Sequence, residues 1–380
     1  MSVATAREVV RRRRAEYEKA KDREDQGRIL DELAELTGYH RKSLVRLLSG
    51  PDAAKAPVPP PGRVSTYAPI LPHLRKLWAA GFFACGKRLG AFLPELLDLL
   101  VAADELQVTP FEEGLLRSVS SATIDRLLAA DRNPDQRGRS TTRAGALLRS
   151  QIPVRTFADW TEQEPGFLEV DLVAHCADST RGEHLWTLDM TDVLTGWTVL
   201  VAMKGKGQHG TELALEAGRK QFPFAVKGID CDNGSEFINA HLVRYCTARH
   251  LTFTRCRPYK KNDQCHVEER NGSVVRQFVG YRRLESDEEL ALLRLIYARV
   301  NRYHNYYWPM MRLLSKERQG SRVKKKYDTP KTPYQRVLSL SGVVGETTRL
   351  RMAAEYADPA RNPAALLRTI TDLLEKLGEE

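Results

Sequence analysis

Phe-Leu-Glu-Val-Asp-Leu-Val-Ala, residues 167–174, places a carboxylate inside a run whose other residues are mostly apolar. Short runs rich in β-branched and aromatic residues read as strands, and Leu185–Asp189 and Trp197–Met203 have the same character. A turn around Thr191–Gly196 joins the last two, so the three strands are expected to form an antiparallel meander. Beyond them the sequence predicts a helix over Thr211–Gln221, a strand over Ala225–Asp230 and a helix over Ser235–His250. A strand over Leu251–Arg255 and a helix over Cys265–Val279 follow. Three antiparallel strands followed by alternating helices and strands describe a mixed five-stranded α/β sheet.

Three acids stand out by position. Asp171 lies in the first strand, Asp232 follows the fourth in Cys-Asp-Asn-Gly-Ser-Glu-Phe (231–237), and Glu268 stands near the start of the helix after the fifth. A charge in a buried strand is costly unless it is paired or bound to a cation. Acids converging at strand ends suit a hard divalent cation, and Mg²⁺ prefers carboxylate oxygen and water. Two such ions about 3.5–4 Å apart clamp a phosphate, one activating the attacking oxygen and the other the leaving one. Taken singly, Asp232 could cap the turn into the next helix and Asp171 could pair with a basic residue; the set of three favours the metal reading. Glu269 competes with Glu268. A helical period puts Glu268 beside the stripe of Val267, Asn271, Val274 and Phe278, and Glu269 on a solvated face with Ser273 and Arg276. Glu169 and Asp230 each point the same way as the acid two residues on; both stay open, Asp230 as a supporting residue.

The order Asp171, then Asp232 in Asp-Asn-Gly-Ser-Glu-Phe, then Glu268 after thirty-five intervening residues resembles the catalytic triad of retroviral integrases and bacterial insertion-sequence transposases. Val267-Glu268-Glu269-Arg270-Asn271 is similar to that family's Val-Glu-x-x-Asn around its catalytic glutamate. Asn305-Tyr306-Tyr307-Trp308-Pro309, after a long helix from Asp287, is similar to the Asn and Pro motif that ends the core in insertion-sequence enzymes. The resemblance runs from Gly166 to Pro309 and implies a ribonuclease-H-like core. It also implies that Asp171 holds two Mg²⁺ ions, Asp232 one of them and Glu268 the other, with Mn²⁺ able to substitute. Such an enzyme hydrolyses DNA at element ends and joins the freed 3′-hydroxyls to target DNA, with no covalent protein intermediate. Its partners are double-stranded DNA, as terminal inverted repeats and as target, and further copies of itself on that DNA. Two features depart from the family. The loop before the glutamate helix reads Tyr259-Lys260-Lys261-Asn262-Asp263-Gln264 where a Pro and a Gly are usual, and no His-His-Cys-Cys zinc domain precedes the core.

Upstream, Val3–Lys21, Gln26–Leu36 and His40–Leu48 read as helices, and Ala34, Gly38, Leu44 and Leu47 have helix-turn-helix spacing. Tyr39, His40, Arg41, Lys42 and Arg46 are expected to face outward, with Arg41, Lys42 and Arg46 as DNA contacts. A stiff proline-rich linker covers 51–64. A second helical block runs from Tyr67 to Ala130 and ends in a weaker copy of the pattern: Gly114, a Ser120 or Ser121 cap, then Ile124 and Leu127. The resulting plan is a helix-turn-helix unit (1–50), the linker (51–64), a second helical unit (65–131), a basic connector (132–160), the catalytic core (161–309) and a basic C-terminal region (310–380) with a terminal helix over Pro363–Leu377.

Composition agrees with a nucleic-acid partner. The 380 residues carry a formal net charge of +10 and a pI near 9.3, which suits a polyanion. Nine Lys or Arg lie between Pro309 and Arg336 against Glu317 and Asp328. Within that run Lys324, Lys325 and Lys326, together with Lys260 and Lys261 before the glutamate helix, are further DNA-binding candidates, the alternative for the former being a solvated linker. The six cysteines show no C-x-x-C spacing and read as reduced structural residues. Arg11–Arg14 are followed by no apolar stretch, and Leu89–Leu106 is broken by Pro94, Glu95, Asp98 and Asp104, so neither a signal peptide nor a membrane span is expected. A cytoplasmic, nucleoid-associated protein is the corresponding expectation. Other readings of the same features are a ribonuclease-H-like nuclease that cuts without joining, and a non-catalytic helix-turn-helix DNA-binding protein.

Overall fold

The computed structural model describes residues 3–20, 22–49, 65–132, 164–231, 240–255, 265–319 and 322–379. The chain divides into two compact units, Met1–Ser65 and Thr66–Glu380. The proline-rich linker and nearly all of the basic connector lie outside the described residues.

In the first unit the expected single leading helix is two, α1 (Val3–Arg12) and α2 (Arg14–Lys19). Asp22 caps α3 (Arg23–Thr37) by accepting the backbone N–H groups of Glu24 and Asp25. Gly38 ends α3 at φ 71°, a left-handed conformation that glycine adopts without strain. The chain then enters α4 (Arg41–Ser49). Leu33, Leu44 and Leu48 are fully buried, whereas Leu47 is exposed. The second anchor of α4 is therefore Leu48, one residue beyond the expected position, because four residues bring the helix back to the buried face of Leu44. Arg41, Lys42 and Arg46 are exposed, Arg41 paired with Asp31. Tyr39, expected outside, is packed against the core.

The second unit contains the sheet. Its strands are β1 (Phe167–His175), β2 (Leu185–Asp192), β3 (Thr198–Lys204), β4 (Gly228–Cys231) and β5 (Thr252–Arg255), in the order β3-β2-β1-β4-β5. β1 pairs antiparallel with β2 and parallel with β4; β2–β3 is antiparallel and β4–β5 parallel. This is the mixed five-stranded sheet that the sequence predicts. β2 is buried along its whole length, so the centre of the sheet is covered on both faces. α9 (Gln208–Arg219) packs on β2 and β3, and α13 (Asp287–Tyr307) on β3. α10 (Ala240–Ala248) packs against α9 and β5. β3 is an edge strand, and α13 satisfies part of that edge. Asn301 exchanges hydrogen bonds with the N–H and carbonyl of Leu200 (2.9 and 3.1 Å), and Asn305 does the same at Thr198 (2.8 and 2.7 Å). Two amides one helical turn apart thus stand in for a neighbouring strand, and the Asn of the Asn-Pro motif is a structural residue.

The second helical block comprises α5 (Leu71–Ala80), α6 (Gly86–Ala102), α7 (Pro110–Ser118) and α8 (Ser121–Leu127). It shares one hydrophobic core with the sheet and α13. Ser120 caps α8, and Ile124 and Leu128 are its fully buried residues, Leu127 being only partly so. Phe82 carries the contact to the sheet domain, its ring 4.5 Å from that of Phe278 and 4.6 Å from that of Trp308. Tyr303 donates its hydroxyl hydrogen to the carbonyl of Ala80 at 2.7 Å. Tyr303 and Tyr306 are core residues.

Past the core, the basic run forms a hairpin, β6 (Leu313–Gln319) paired with β7 (Arg322–Tyr327), where a linker was the alternative to a DNA contact. Lys324, Lys325 and Lys326 are exposed on β7. Two of the nine basic residues have internal roles: Arg336 is buried and bonds to Asp328 and to the carbonyl of Met310, and Arg312 is half-buried. Helices α14 (Pro333–Leu338), α15 (Glu346–Ala357) and α16 (Pro363–Glu379) close the chain, α16 lying along α13.

A buried polar chain runs from the end of β1 to α13. His175 Nε2 lies 2.7 Å from Thr187 Oγ1, which also bonds to the hydroxyl of Tyr297. Burial, with a contribution from Arg276, pushes His175 down to about 3, and burial likewise holds His304 far below the ordinary range. Unfolding restores both to the ordinary range near 6.5. The unfolded state therefore binds the protons first, and stability falls as pH drops from about 6.5 toward 3. His175→Gln should make the loss of unfolding free energy over this window shallower, by up to about 1.4 kcal/mol per pH unit, and the fall of Tm with it. An unchanged acid limb in thermal melts at pH 7, 6, 5 and 4 would show that His175 is not a source of the acid sensitivity.

Candidate active site

Asp171 sits at the middle of β1, with Asp189 directly opposite on β2. Glu169, two residues back on the same strand, is opposite Asp230 on β4. Four carboxylates from three neighbouring strands thus gather in the centre of the sheet. Asp171 is half-buried, whereas Glu169, Asp189 and Asp230 are enclosed. The cost of enclosing them appears in their protonation. Burial pushes Glu169 up to about 8, helped by the charges of Asp230 and Glu268. Burial does the same for Asp189, also to about 8, with Asp171 contributing and Arg270 opposing.

The helix that carries Glu268 is tied to β1 at two points. α11 (Cys265–Arg270) begins with the N–H groups of His266 and Val267 donating to Glu169 Oε2, at 2.8 and 2.9 Å. One turn beyond Glu268, Asn271 Nδ2 donates to Asp171 Oδ2 at 2.7 Å. Asp171 Oδ1 accepts the N–H of Leu172 at 2.8 Å. Glu268 is exposed at the start of α11, close enough for its charge to raise Glu169.

The helix does not continue as a regular α-helix. Asn271–Val275 is a π-turn, with the N–H of Arg276 bonded to the carbonyl of Asn271, before α12 (Arg276–Phe278) resumes the α form. A π-turn adds a residue to the turn, which is why Val274 and Val275 are both buried. It also corrects the solvated face expected around Glu269. Arg276 is half-buried and bonds to the carbonyls of Ala174 and Gly280, and the hydroxyl of Ser273 is enclosed. Glu269 itself is exposed, near Arg270 (3.4 Å) and Arg88 (3.8 Å).

Asp232 follows Cys231, the last residue of β4, whose register partner is Val170. Asp232, Lys260 and Lys261 lie outside the described residues. Among the described residues no three His, Cys, Asp or Glu side chains form a metal-binding group. Nevertheless the donors suit a hard cation. Asp189 Oδ2 is a buried carboxylate oxygen with no hydrogen-bond partner, opposite the half-buried Asp171, and carboxylate oxygen is the donor such a cation prefers. Sequence reasoning missed two members of this site. Asp189 is one of two acids in β2, and only the β1–β2 register reveals that it faces Asp171. Arg270 is enclosed, and its charge opposes the rise of Asp189; in sequence it is only one of the variable positions of Val-Glu-x-x-Asn.

The family model described as "Integrase core domain" matches residues 161–261. That span includes Asp171 and Asp232 and ends before Glu268. An uncharacterised protein, y4rM, of Sinorhizobium fredii is 39% identical over 338 residues, covering 88% of this chain and 96% of the relative. Solved structures similar to the chain include the HTLV-2 integrase catalytic core domain in complex with magnesium in its dimeric form, at 15% identity and TM-score 0.30, covering 39% of this chain and 92% of that one. The simian T-cell lymphotropic virus intasome in complex with PP2A regulatory subunit B56 gamma matches at 17% identity and TM-score 0.33, covering 60% and 70%. The catalytic core domain of BIV integrase matches at 14% identity and TM-score 0.29, covering 46% and 94%. The matched family model and the observed strand order β3-β2-β1-β4-β5 agree. The chain belongs to the ribonuclease-H-like superfamily of DDE transposases and integrases.

Proposed function

We propose that this chain is a transposase in which Asp171, Asp232 and Glu268 hold two Mg²⁺ ions that cut DNA at element ends and join the 3′ ends to a target. The observation that carries the reading is the hydrogen bond from Asn271 to Asp171, which brings the helix of Glu268 against the strand of Asp171. Bound metal would supply Lewis acidity and an activated oxygen nucleophile at the phosphate. The chain's own residues do the rest. Asp171 is fixed by Asn271 and by the N–H of Leu172, so its carboxylate is oriented before DNA arrives. Glu268, exposed at a helix start, reaches toward solvent and DNA. In the first step water attacks the phosphorus and the P–O3′ bond breaks, leaving a 3′-hydroxyl. In the second that hydroxyl attacks a target phosphodiester, losing its proton to solvent as the target P–O3′ bond breaks. No side-chain nucleophile is required, and a cytoplasmic, nucleoid-associated enzyme acting as a homo-oligomer on DNA is the matching setting. No described helix is long and apolar enough to cross a membrane.

Asp171→Asn, Asp232→Asn and Glu268→Gln should each abolish cleavage and strand transfer while DNA binding persists, since each removes a ligand and keeps the shape. Glu269→Gln should retain most activity. Near-normal turnover in any of the first three removes that residue from the site, and cleavage without joining on paired end and target DNA would favour the nuclease reading.

Binding divides between two surfaces. Arg41, Lys42 and Arg46 on exposed positions of α4 suit a recognition helix in the major groove. Alanine at any one should cost about 1–3 kcal/mol of preference for end DNA over random duplex. Lys324, Lys325 and Lys326 on the hairpin, with Lys260 and Lys261, suit phosphates. Replacing the three hairpin lysines with alanine should flatten the slope of log affinity against log salt by roughly two to three units and leave sequence preference unchanged. An unchanged slope would place these lysines in water.

A further inference from the structure

We propose that Glu169 is a positioning residue that sets the distance between Asp171 and Glu268 by holding the first turn of α11 against β1. This rests on the reading of Asp171 and Glu268 as the reacting site's carboxylates. Glu169 has 0% of its surface exposed, whereas Asp171 is half-buried and Glu268 exposed. It therefore cannot meet DNA, and what it does must pass through its neighbours. Its Oε2 takes both the His266 and the Val267 N–H groups, at 2.8 and 2.9 Å. The next residue is Glu268. Asn271 grips Asp171 at 2.7 Å one turn further on, so two residues of one strand hold two successive turns of one helix. A single tie would leave the helix free to swing about it; two ties fix both its rotation and its rise along the strand. Enclosing a carboxylate costs several kcal/mol unless its partners compensate. An apolar side chain would pack in this place without that cost but would offer no acceptor to the two N–H groups.

The test compares Glu169→Ala, Glu169→Gln and Glu169→Asp in the full chain, with Asp171→Asn as the inactive reference. Three quantities are read: strand-transfer kcat with Mg²⁺, Kd for end DNA, and hydrogen exchange at the His266 and Val267 amides. Glutamine keeps a carbonyl oxygen where Oε2 stands, so Glu169→Gln should keep amide protection and stay within a few-fold of wild-type kcat. Glu169→Ala should lose protection and drop kcat about 100-fold, the usual cost of a misplacement near 1 Å, with Kd hardly changed. Glu169→Asp, one methylene short, should fall between the two and serves as the readable variant if the alanine form fails to fold. Loss of protection with wild-type kcat would overturn the proposal. A Glu169→Gln as inactive as Asp171→Asn would also overturn it, by showing that the carboxylate charge itself takes part. A wild-type chain inert toward end DNA would instead overturn the functional reading, and the catalytic role of the tie with it.

Discussion

The hydrogen bond from Asn271 to Asp171 is the contact on which the rest of the site depends, because it joins the strand of Asp171 to the helix of Glu268. β1 lies inside a sheet covered on both faces, where an ionised carboxylate is expensive. The chain offsets part of that expense locally. Asp171 takes an amide and a backbone N–H, Glu169 takes two backbone N–H groups, and Arg270 stands near Asp189. What remains is a centre with more acceptors than donors. A buried oxygen of Asp189 is without a donor, and burial pushes Asp189 up to about 8.

Rigidity around this centre comes from an arrangement in which helices finish what the sheet leaves undone. Asn301 and Asn305 satisfy the edge of β3. The same helix supplies Tyr303 to the cage around Phe82, so the second helical block and the edge of the sheet share one support. Phe278, stacked on Phe82, lies at the far end of the helix system that begins with Glu268. The block that precedes the core in sequence is thereby packed into the same hydrophobic mass as the candidate active site.

Much of this was legible in residue order. The short β-rich run at 167–174 and the alternation of helices and strands after it specify the sheet. Partners set by tertiary register were not legible. Asp189 faces Asp171 only because β2 pairs with β1 in one particular register. The π-turn at Asn271–Val275 defeated a face assignment built on 3.6 residues per turn. Leu48 replaced Leu47 as an anchor because it stands one helical turn from Leu44 and shares its buried face. The hairpin β6–β7 was hidden because its strands are mostly charged and lack the apolar alternation by which strands are recognised.

The central claim is that Asp171 and Glu268 share a metal centre. Anomalous scattering from crystals grown with Mn²⁺ tests it most directly, because the ion's position is seen without reference to activity. The account predicts a peak bonded to a carboxylate oxygen of Asp171 at about 2.1 Å, the distance typical of Mg²⁺ sites, and within coordination reach of Glu268 or Asp232. Manganese bound only elsewhere, with none on Asp171, would contradict it.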